Sequence, residues 1–124
     1  MKVLIIDDDQ ALCRSLQIAL SLRRHEVRCS FSAEAGILES HEFSPDVVFL
    51  DVNLPDQSGL AVLSGLLKNP YLPTVVVMTG EADNNVAVEA MRSGAFEYLR
   101  KPLDINDIYT IMTRVERHRS RVEP

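Results

Sequence analysis

Five short apolar runs recur along the chain, and a longer segment with helical spacing of apolar residues separates each run from the next. The runs lie at residues 3–7, 26–30, 46–50, 74–78 and 96–100. The first, third and fourth are nearly continuous Val, Ile, Leu and Phe, which is typical of strands buried on both faces. The second and fifth alternate more with polar residues, as strands nearer a sheet edge do. Strict alternation of strand and helix predicts an α/β fold with a parallel sheet, helices on both faces and right-handed crossovers.

Capping residues support the helices between the runs. Ser32, Ser58 and Asp104 each stand before an amphipathic segment and can accept a hydrogen bond from a free backbone N–H of its first turn. Gly94 follows the segment VAVEAMRS, where a glycine is typical of a helix end. We therefore predict three helices that begin after these caps and one that ends before Gly94.

Length, charge and hydropathy limit the class of protein. The 124 residues fit one domain with its own core. The net charge of -5 disfavours direct nucleic-acid binding, because phosphate contacts need a basic surface. No apolar run approaches the roughly 20 residues of a membrane span, and MKVLIIDDD lacks the layout of a secretory signal. We expect a cytoplasmic domain without a membrane segment, in which Cys13 and Cys29 are reduced core thiols.

The polar residues that follow the apolar runs predict where the chemistry lies. Asp7 ends the first run and Asp8 follows it. Asp51 follows the third run, Thr79 follows the fourth and Lys101 follows the fifth. The carboxyl ends of parallel strands share one edge of the sheet, and ligands bind at that edge in open α/β folds. Taken alone, Asp51 is better explained as a helix cap or strand end. In the company of the other four residues it indicates a functional site.

This set of groups suits Mg²⁺-dependent phosphoryl transfer. Clustered carboxylates repel unless a hard cation with oxygen ligands neutralises them, and Mg²⁺ accepts phosphate oxygens in its remaining positions. Lys101 can pair with a phosphate oxygen, and the Thr79 hydroxyl can donate a hydrogen bond to another. Because carboxylates form aspartyl-phosphate intermediates, Asp51 is the candidate nucleophile.

Four separated motifs resemble the receiver domain of bacterial two-component response regulators. They are LIIDDD, VVFLDVNLPDQSG, VVVMTG and SGAFEYLRKPL, in that order and spacing. The resemblance extends over residues 1–118 and leaves residues 119–124 as a tail, the expected start of a linker. It implies a flavodoxin-like (βα)5 doubly wound parallel sheet with strand order 2-1-3-4-5. Asp9, MTG and GAFEYLRKPLD are most like the nitrogen-regulatory class, whose receivers precede AAA+ and DNA-binding modules in sigma-54-dependent activators.

The resemblance assigns roles to the acidic residues. Asp51 matches the phosphoacceptor, which would be phosphorylated. Asp7 and Asp8 match the acidic pair that holds Mg²⁺. Asp8 and Asp51 are direct metal ligands by this resemblance, and the backbone carbonyl of Asn53 is a third. Asp7 acts mostly through bound water. From the residues alone, the acidic triplet could instead cap the first helix, and Asp9 is the member expected to do so.

The resemblance also assigns a conformational switch. Thr79 matches the hydroxyl that turns toward the phosphoryl group, and Lys101 matches the lysine that pairs with it. The bond between Lys101 and Pro102 matches one that is cis in the family. Tyr98 matches an aromatic residue whose ring moves inward when Thr79 turns. Without the resemblance, an aromatic residue in an edge strand indicates packing.

The implied function is a phosphorylation switch with a sensor histidine kinase as donor and a homodimer as its output state. The expected dimer face consists of the fourth helix, fifth strand and fifth helix, residues 85–115. A phosphatase with an aspartyl nucleophile is disfavoured, because the position two residues after Asp51 holds Asn53 rather than a second acid. A stand-alone regulator and a degenerate receiver that only dimerises are the alternatives.

The C-terminal segment is a charged helical pattern that runs into RSRVEP without a cap. This pattern suggests a chain that continues as a linker helix toward an output module. Four arginines alternate there with acids and are expected to form a solvated helix face: Arg114, Arg117, Arg119 and Arg121.

Overall fold

Each apolar run forms a strand, and each intervening segment forms a helix. The computed structural model describes residues 1–80 and 84–122. The strands are β1 Lys2–Ile6, β2 Glu26–Ser30, β3 Val47–Asp51, β4 Thr74–Thr79 and β5 Glu97–Arg100. The helices are α1 Gln10–Leu22, α2 Ala33–Phe43, α3 Gly59–Leu66, α4 Asn84–Arg92 and α5 Ile105–Val122. Within these ranges, none of the helices is both long and apolar enough to cross a membrane.

The five strands form one parallel sheet in the order β2-β1-β3-β4-β5. This confirms the predicted flavodoxin-like topology, and β2 and β5 are the edge strands that their alternating patterns indicated. After β2 the chain returns past β1 to form β3, so the winding direction reverses between β1 and β3. In sheets of this kind the crevice at the reversal, beyond the carboxyl ends of the strands, is the usual ligand site.

The sheet separates two hydrophobic layers, because alternate residues of a strand point to opposite faces. Leu4 and Ile6 of β1 pack with residues of α2, α3 and α4, whereas Val3 and Ile5 pack with α1 and α5. Every residue of β3 and of β4 is buried. A charged side chain within these strands would lose its hydration on either face. Charge is therefore confined to the strand ends.

The helix caps lie where the sequence predicts them. Ser32, Ser58 and Asp104 each accept a hydrogen bond from a backbone N–H in the following turn, at 3.1, 3.2 and 2.8 Å respectively. Asp9 caps α1 in the same way at 3.1 Å. Gly94 follows α4 with a φ of 108°, a left-handed conformation that favours glycine. These residues fix where the helices begin and end relative to the strand ends.

The last turns of α5 are anchored to the sheet, so the prediction of a solvated face is wrong for Arg119. Its guanidinium donates to the Asp46 carbonyl oxygen at 2.9 Å and to Thr74 Oγ1 at 3.1 Å. The Asp46 carboxylate in turn accepts a hydrogen bond from the Lys2 backbone N–H at 2.8 Å. These contacts join α5 to the starts of β1, β3 and β4. A domain boundary at residue 118 stays a prediction, but α5 keeps a contact with the sheet beyond it.

The turn after β3 depends on a close approach of backbone at Gly59. Its N–H donates to the Val52 carbonyl at 3.0 Å. A Cβ at position 59 would lie 2.4 Å from Val52 Cα and 2.5 Å from the Asp51 carbonyl oxygen. Both obstacles are backbone atoms, so the turn itself would have to move. Gly65, in the same helix, has open space where its Cβ would be.

We expect Gly59→Ala to lower the free energy of unfolding by about 1–3 kcal/mol, because the turn must shift to relieve the overlap. Gly65→Ala is the matched control and should raise stability by up to about 1 kcal/mol, the advantage of alanine over glycine in a helix. Urea unfolding followed by circular dichroism measures both changes. Equal stability of Gly59→Ala and the wild type would show that the turn accommodates a side chain.

Candidate functional site

Four polar residues lie at the carboxyl-terminal edge of the sheet, and the side chains of Asp7, Asp51 and Lys101 are in contact there. Asp7 follows β1, Asp51 ends β3, Thr79 ends β4 and Lys101 follows β5. These four strands are consecutive in the sheet. Asp7 is 0% exposed, and Asp51 and Thr79 are each 3% exposed. Two carboxylates buried this deeply require charged or hydrogen-bonding partners to remain ionised.

Lys101 supplies positive charge to both buried carboxylates. Its Nζ lies 2.6 Å from Asp7 Oδ2 and 3.3 Å from Asp51 Oδ2. Burial by itself would lower the pKa of Lys101, but the interactions with Asp7 and Asp51 outweigh it and raise that pKa. The ammonium is therefore a fixed positive charge at neutral pH. The Lys101 backbone N–H donates to the Thr79 carbonyl at 2.8 Å, which ties the start of this loop to β4. The peptide bond between Lys101 and Pro102 is cis, as the resemblance implied.

One lysine does not fully compensate the acids around it. Burial raises the pKa of Asp51, and the negative charge of Asp7 raises it further. The Asn53 backbone N–H, which donates to Asp51 Oδ1 at 3.0 Å, and the Lys101 ammonium act in the opposite direction. The pKa of Asp51 is raised despite them. The Asp51 carboxylate therefore lies in surroundings that a further positive charge would stabilise.

The donor atoms fit a hard divalent cation. Carboxylate oxygens of Asp7, Asp8 and Asp51 lie within 4.8 Å of one another. Within the described part of the chain, Asp7 Oδ2 is buried and lacks a well-aligned hydrogen bond, although it lies close to the Lys101 ammonium. Asp8 is exposed, so one side of the cluster is open to water. Mg²⁺ suits such a site, because it binds to few carboxylates and keeps several waters.

The first turn of α1 orients Asp7. The Asp9 backbone N–H donates to Asp7 Oδ1 at 2.9 Å, while the Asp9 side chain caps the helix. The Cys13 thiol, one turn further on, lies 3.4 Å from the Asp7 carbonyl oxygen. Asp9 therefore has the capping role that was predicted for it. With Oδ1 held by a backbone N–H, Asp7 Oδ2 is left to face Lys101.

Thr79 and Tyr98, the predicted switch residues, lie on adjacent strands in different surroundings. Thr79 is buried at the site edge, whereas Tyr98 is 37% exposed on β5. The Tyr98 ring borders a shallow groove beside α4 that is also lined by Ala87, Val88, Met91 and Arg92. The structure thus places Tyr98 outside the core. Its inward movement with Thr79 stays a prediction.

Asp56 anchors the loop that follows the acceptor strand, and sequence reasoning missed it. Its two carboxylate oxygens accept hydrogen bonds from the backbone N–H groups of Ala33 and Glu34, at 2.9 and 3.0 Å. These N–H groups belong to the first turn of α2, which is a favourable place for a negative charge. Asn53 lies in the same loop and pairs with Ser58 through an isolated antiparallel bridge. Asp56 therefore holds the segment that contains Asn53, whose carbonyl as a metal ligand stays a prediction.

Replacing Asp56 with Asn should lower the melting temperature at neutral pH and flatten the dependence of stability on pH. The hydrogen bonds from Ala33 and Glu34 lower the pKa of Asp56 in the folded protein. The stabilisation is therefore present above the unfolded pKa of about 3.9 and is lost as pH falls through the lower, folded pKa. Thermal unfolding of the wild type, Asp56→Asn and the exposed-acid control Glu42→Gln across this range measures the effect. If the wild type and Asp56→Asn differ equally at every pH, the Asp56 carboxylate is not the cause.

Comparisons with known proteins identify one family. The chain matches the response regulator receiver domain over residues 3–113. It is 32% identical over 113 residues to the regulatory protein AtoC of Escherichia coli (strain K12), which is 91% of this chain and 24% of AtoC. It is 35% identical over 119 residues to the DNA-binding transcriptional regulator NtrC of the same strain, which is 94% of this chain and 25% of NtrC. The chain thus spans about a quarter of the length of these relatives.

Solved structures give the same result. A response regulator receiver domain protein from Clostridium thermocellum superposes with a TM-score of 0.91 at 31% identity, and the match covers 98% of each chain. NtrX from Brucella abortus superposes with a TM-score of 0.86 at 27% identity over 98% of this chain and 29% of NtrX. The likeness to NtrC and NtrX agrees with the predicted nitrogen-regulatory class. The chain belongs to the receiver-domain family of two-component response regulators.

Proposed function

We propose that this domain is a phosphorylation switch in which Asp51 accepts a phosphoryl group from a sensor histidine kinase. The position of the Asp51 carboxylate carries the proposal. It ends a fully buried strand, beside a second acid, Asp7, and 3.3 Å from the Lys101 ammonium. Burial beside a second acid favours a bound cation, whose positive charge would also assist transfer of an anionic phosphoryl group to this carboxylate. A carboxylate that served only as a strand end would need neither the second acid nor the lysine.

The transfer depends on positioning and on charge neutralisation. A carboxylate oxygen of Asp51 attacks the phosphorus atom, the P–N bond to the donor histidine breaks, and its electron pair leaves with the imidazole. The Asn53 N–H holds Asp51 Oδ1, so the orientation of the nucleophile is set before the reaction. Lys101 pairs with one phosphoryl oxygen, and the Thr79 hydroxyl donates a hydrogen bond to another.

Asp7, Asp8, Asp51 and the backbone carbonyl of Asn53 would hold Mg²⁺ in this function. When bound, the ion supplies positive charge that screens the carboxylates from the incoming phosphoryl oxygens. The all-oxygen cluster and the raised pKa of Asp51 support this assignment. The open side at Asp8 leaves room for the phosphoryl group.

Turnover hydrolysis of outside substrates is disfavoured. A phosphatase of the aspartyl type needs a general acid two residues after its nucleophile, and the amide of Asn53 cannot donate a proton to a leaving group. Receiver domains are signalling modules rather than turnover enzymes, and the family match is to such a domain. We propose only self-phosphorylation and slow self-dephosphorylation at Asp51.

The output of the switch is a conformational change read at one face of the domain. A phosphoryl group adds negative charge locally and changes the equilibrium between two arrangements. The Thr79 hydroxyl turns toward it, and the Tyr98 ring moves inward beside α4. Tyr98 lines the groove beside α4 together with Val88 and Met91, so a movement of its ring would change the surface of this face. The face formed by α4, β5 and α5 then supports a homodimer.

The natural output is transcription control by an attached AAA+ and DNA-binding module in the bacterial cytoplasm. The names of AtoC and NtrC are those of regulators, and this chain spans only about a quarter of each. The net charge of -5 makes direct nucleic-acid contact by this domain unfavourable. A stand-alone regulator, or a degenerate receiver that only dimerises, is the alternative.

Incubation with acetyl phosphate and Mg²⁺ should add a single phosphoryl group to the wild type and none to Asp51→Asn, because the substituted amide is not a nucleophile. Intact mass spectrometry gives the count. Asp107→Asn, which removes an exposed acid on α5, is the matched control and should be phosphorylated like the wild type. Omission of Mg²⁺ should abolish the gain. Failure of the wild type to gain mass where Mg²⁺ binding is measurable would favour the degenerate receiver.

Beryllofluoride, a phosphoryl mimic, should shift the domain from monomer toward dimer in sedimentation velocity. Val88→Asp places a charge on the exposed surface of α4 and should weaken the dimer at least about tenfold, as loss of a central interface contact does. Leu38→Asp makes the same change on the exposed surface of α2 and should leave the dimer unchanged. Equal sedimentation with and without beryllofluoride would count against dimerisation as the output.

A further inference from the structure

The loop that follows the acceptor strand is closed at its base by backbone contacts. The Gly59 N–H donates to the Val52 carbonyl at 3.0 Å, and Asn53 pairs with Ser58 through an antiparallel bridge. Asn53 is nevertheless exposed, so packing around its side chain contributes little to where its carbonyl lies. The position of this segment must therefore come from directed contacts.

Asp56 fastens the tip of this loop to the start of α2. Its Oδ1 accepts a hydrogen bond from the Ala33 N–H at 2.9 Å, and its Oδ2 accepts one from the Glu34 N–H at 3.0 Å. Two charge-assisted hydrogen bonds from one carboxylate fix orientation as well as distance. The helix already has its own cap, because Ser32 Oγ accepts a hydrogen bond from the Ala35 N–H at 3.1 Å. An acceptor supplied by another loop therefore ties two elements together and needs an explanation beyond starting the helix.

We propose that Asp56 is a positioning residue for the Mg²⁺ site and that it holds the segment whose Asn53 carbonyl binds the ion. This inference rests on the proposed function, in which that carbonyl is a metal ligand. Mg²⁺ demands near-ideal octahedral geometry at metal–oxygen distances of about 2.0–2.1 Å, so a ligand that is free to drift binds it less well. A backbone carbonyl in an exposed loop meets this demand when the loop is held. Asp56, three residues after Asn53, holds it without being a metal ligand itself.

The coupling has to act in both directions, because linkage between two sites is reciprocal. If the hydrogen bonds of Asp56 favour Mg²⁺ binding, bound Mg²⁺ must strengthen those hydrogen bonds. The backbone N–H groups of Ala33 and Glu34 are the donors, so their exchange with solvent reports the contact directly. The start of α2 therefore senses the metal although it lies outside the proposed ligand set.

Calorimetric titration of the folded protein with Mg²⁺ measures the effect. Asp56→Ala removes both acceptor oxygens and should weaken Mg²⁺ binding about tenfold, the lower end of the loss caused by removing an outer-shell partner of a metal ligand. Asp56→Asn keeps one acceptor oxygen and should bind with intermediate affinity, and it tests the same step if Asp56→Ala does not fold. Ser32→Ala is the matched control, because it removes the cap of α2 without changing the loop. It should lower the melting temperature and leave the Mg²⁺ affinity unchanged.

Amide hydrogen exchange followed by NMR gives a second measurement. Addition of Mg²⁺ to the wild type should slow the exchange of the Ala33 and Glu34 N–H groups. In the metal-free protein, Asp56→Ala should speed the exchange of the Asn53 N–H, which donates to Asp51 Oδ1 at 3.0 Å. Ser32→Ala should leave the exchange of this N–H unchanged.

Two outcomes would overturn the inference. One is an equal Mg²⁺ affinity of the wild type and the folded Asp56 variants. The other is an equal loss of affinity in Ser32→Ala, which would show that Asp56 acts only through the stability of α2. In both cases a wild type that binds Mg²⁺ and gains a phosphoryl group keeps the proposed function. If the wild type binds no Mg²⁺ and gains no phosphoryl group, the proposed function fails, while exchange at Asn53 in the metal-free protein still decides whether Asp56 positions the loop.

Discussion

The bridge from one ammonium to two buried carboxylates is the interaction on which the rest of the site depends. Lys101 follows β5, whereas Asp7 and Asp51 belong to β1 and β3, so its side chain must pass the end of β4 to reach them. Thr79 occupies that end. The Thr79 carbonyl accepts the Lys101 backbone N–H at 2.8 Å, so the residue at the end of β4 is tied directly to the lysine. Thr79 is therefore well placed to respond when the ion pair changes.

The sheet explains why these charges are found only at this edge. Its central strands are buried along both faces, so a charge can lie only where the strand ends and loops or water can solvate it. Those loops must then be held firmly. The Asp9 N–H holds Asp7 from α1, the Asp56 carboxylate fastens the loop after β3 to α2, and Gly59 lets that loop approach the backbone of β3 closely. The precision of the site comes from these short-range contacts around it.

Sequence reasoning predicted the parts of the structure that depend on local pattern. The apolar runs predicted the bounds of β1 to β5 to within one residue. Because the carboxyl ends of parallel strands share one edge of the sheet, the sequence also placed Asp51 and Lys101 at the same edge. The strand order itself came from the family resemblance rather than from the pattern. Asp56 and Arg119 were missed because their partners lie 22 to 73 residues away, and only the fold brings these together. The pattern also predicted two core thiols, but only Cys13 is buried, because Cys29 lies on the edge strand β2 and is half-buried.

The charge balance of the site indicates how a small chemical change could alter the whole domain. In the unphosphorylated structure the Lys101 ammonium lies closer to Asp7, at 2.6 Å, than to Asp51, at 3.3 Å. In the proposed switch, phosphorylation of Asp51 adds negative charge on the side that Lys101 contacts less closely. The lysine then has a stronger partner, and the path past Thr79 changes with it. Because Thr79 and Tyr98 lie on adjacent strands, a rearrangement at the charged edge has a short structural route to the exposed face of β5. The free energy for switching would therefore come from moving one partly buried positive charge between two acids. The second acid, Asp7, thus matters as much as the acceptor, Asp51.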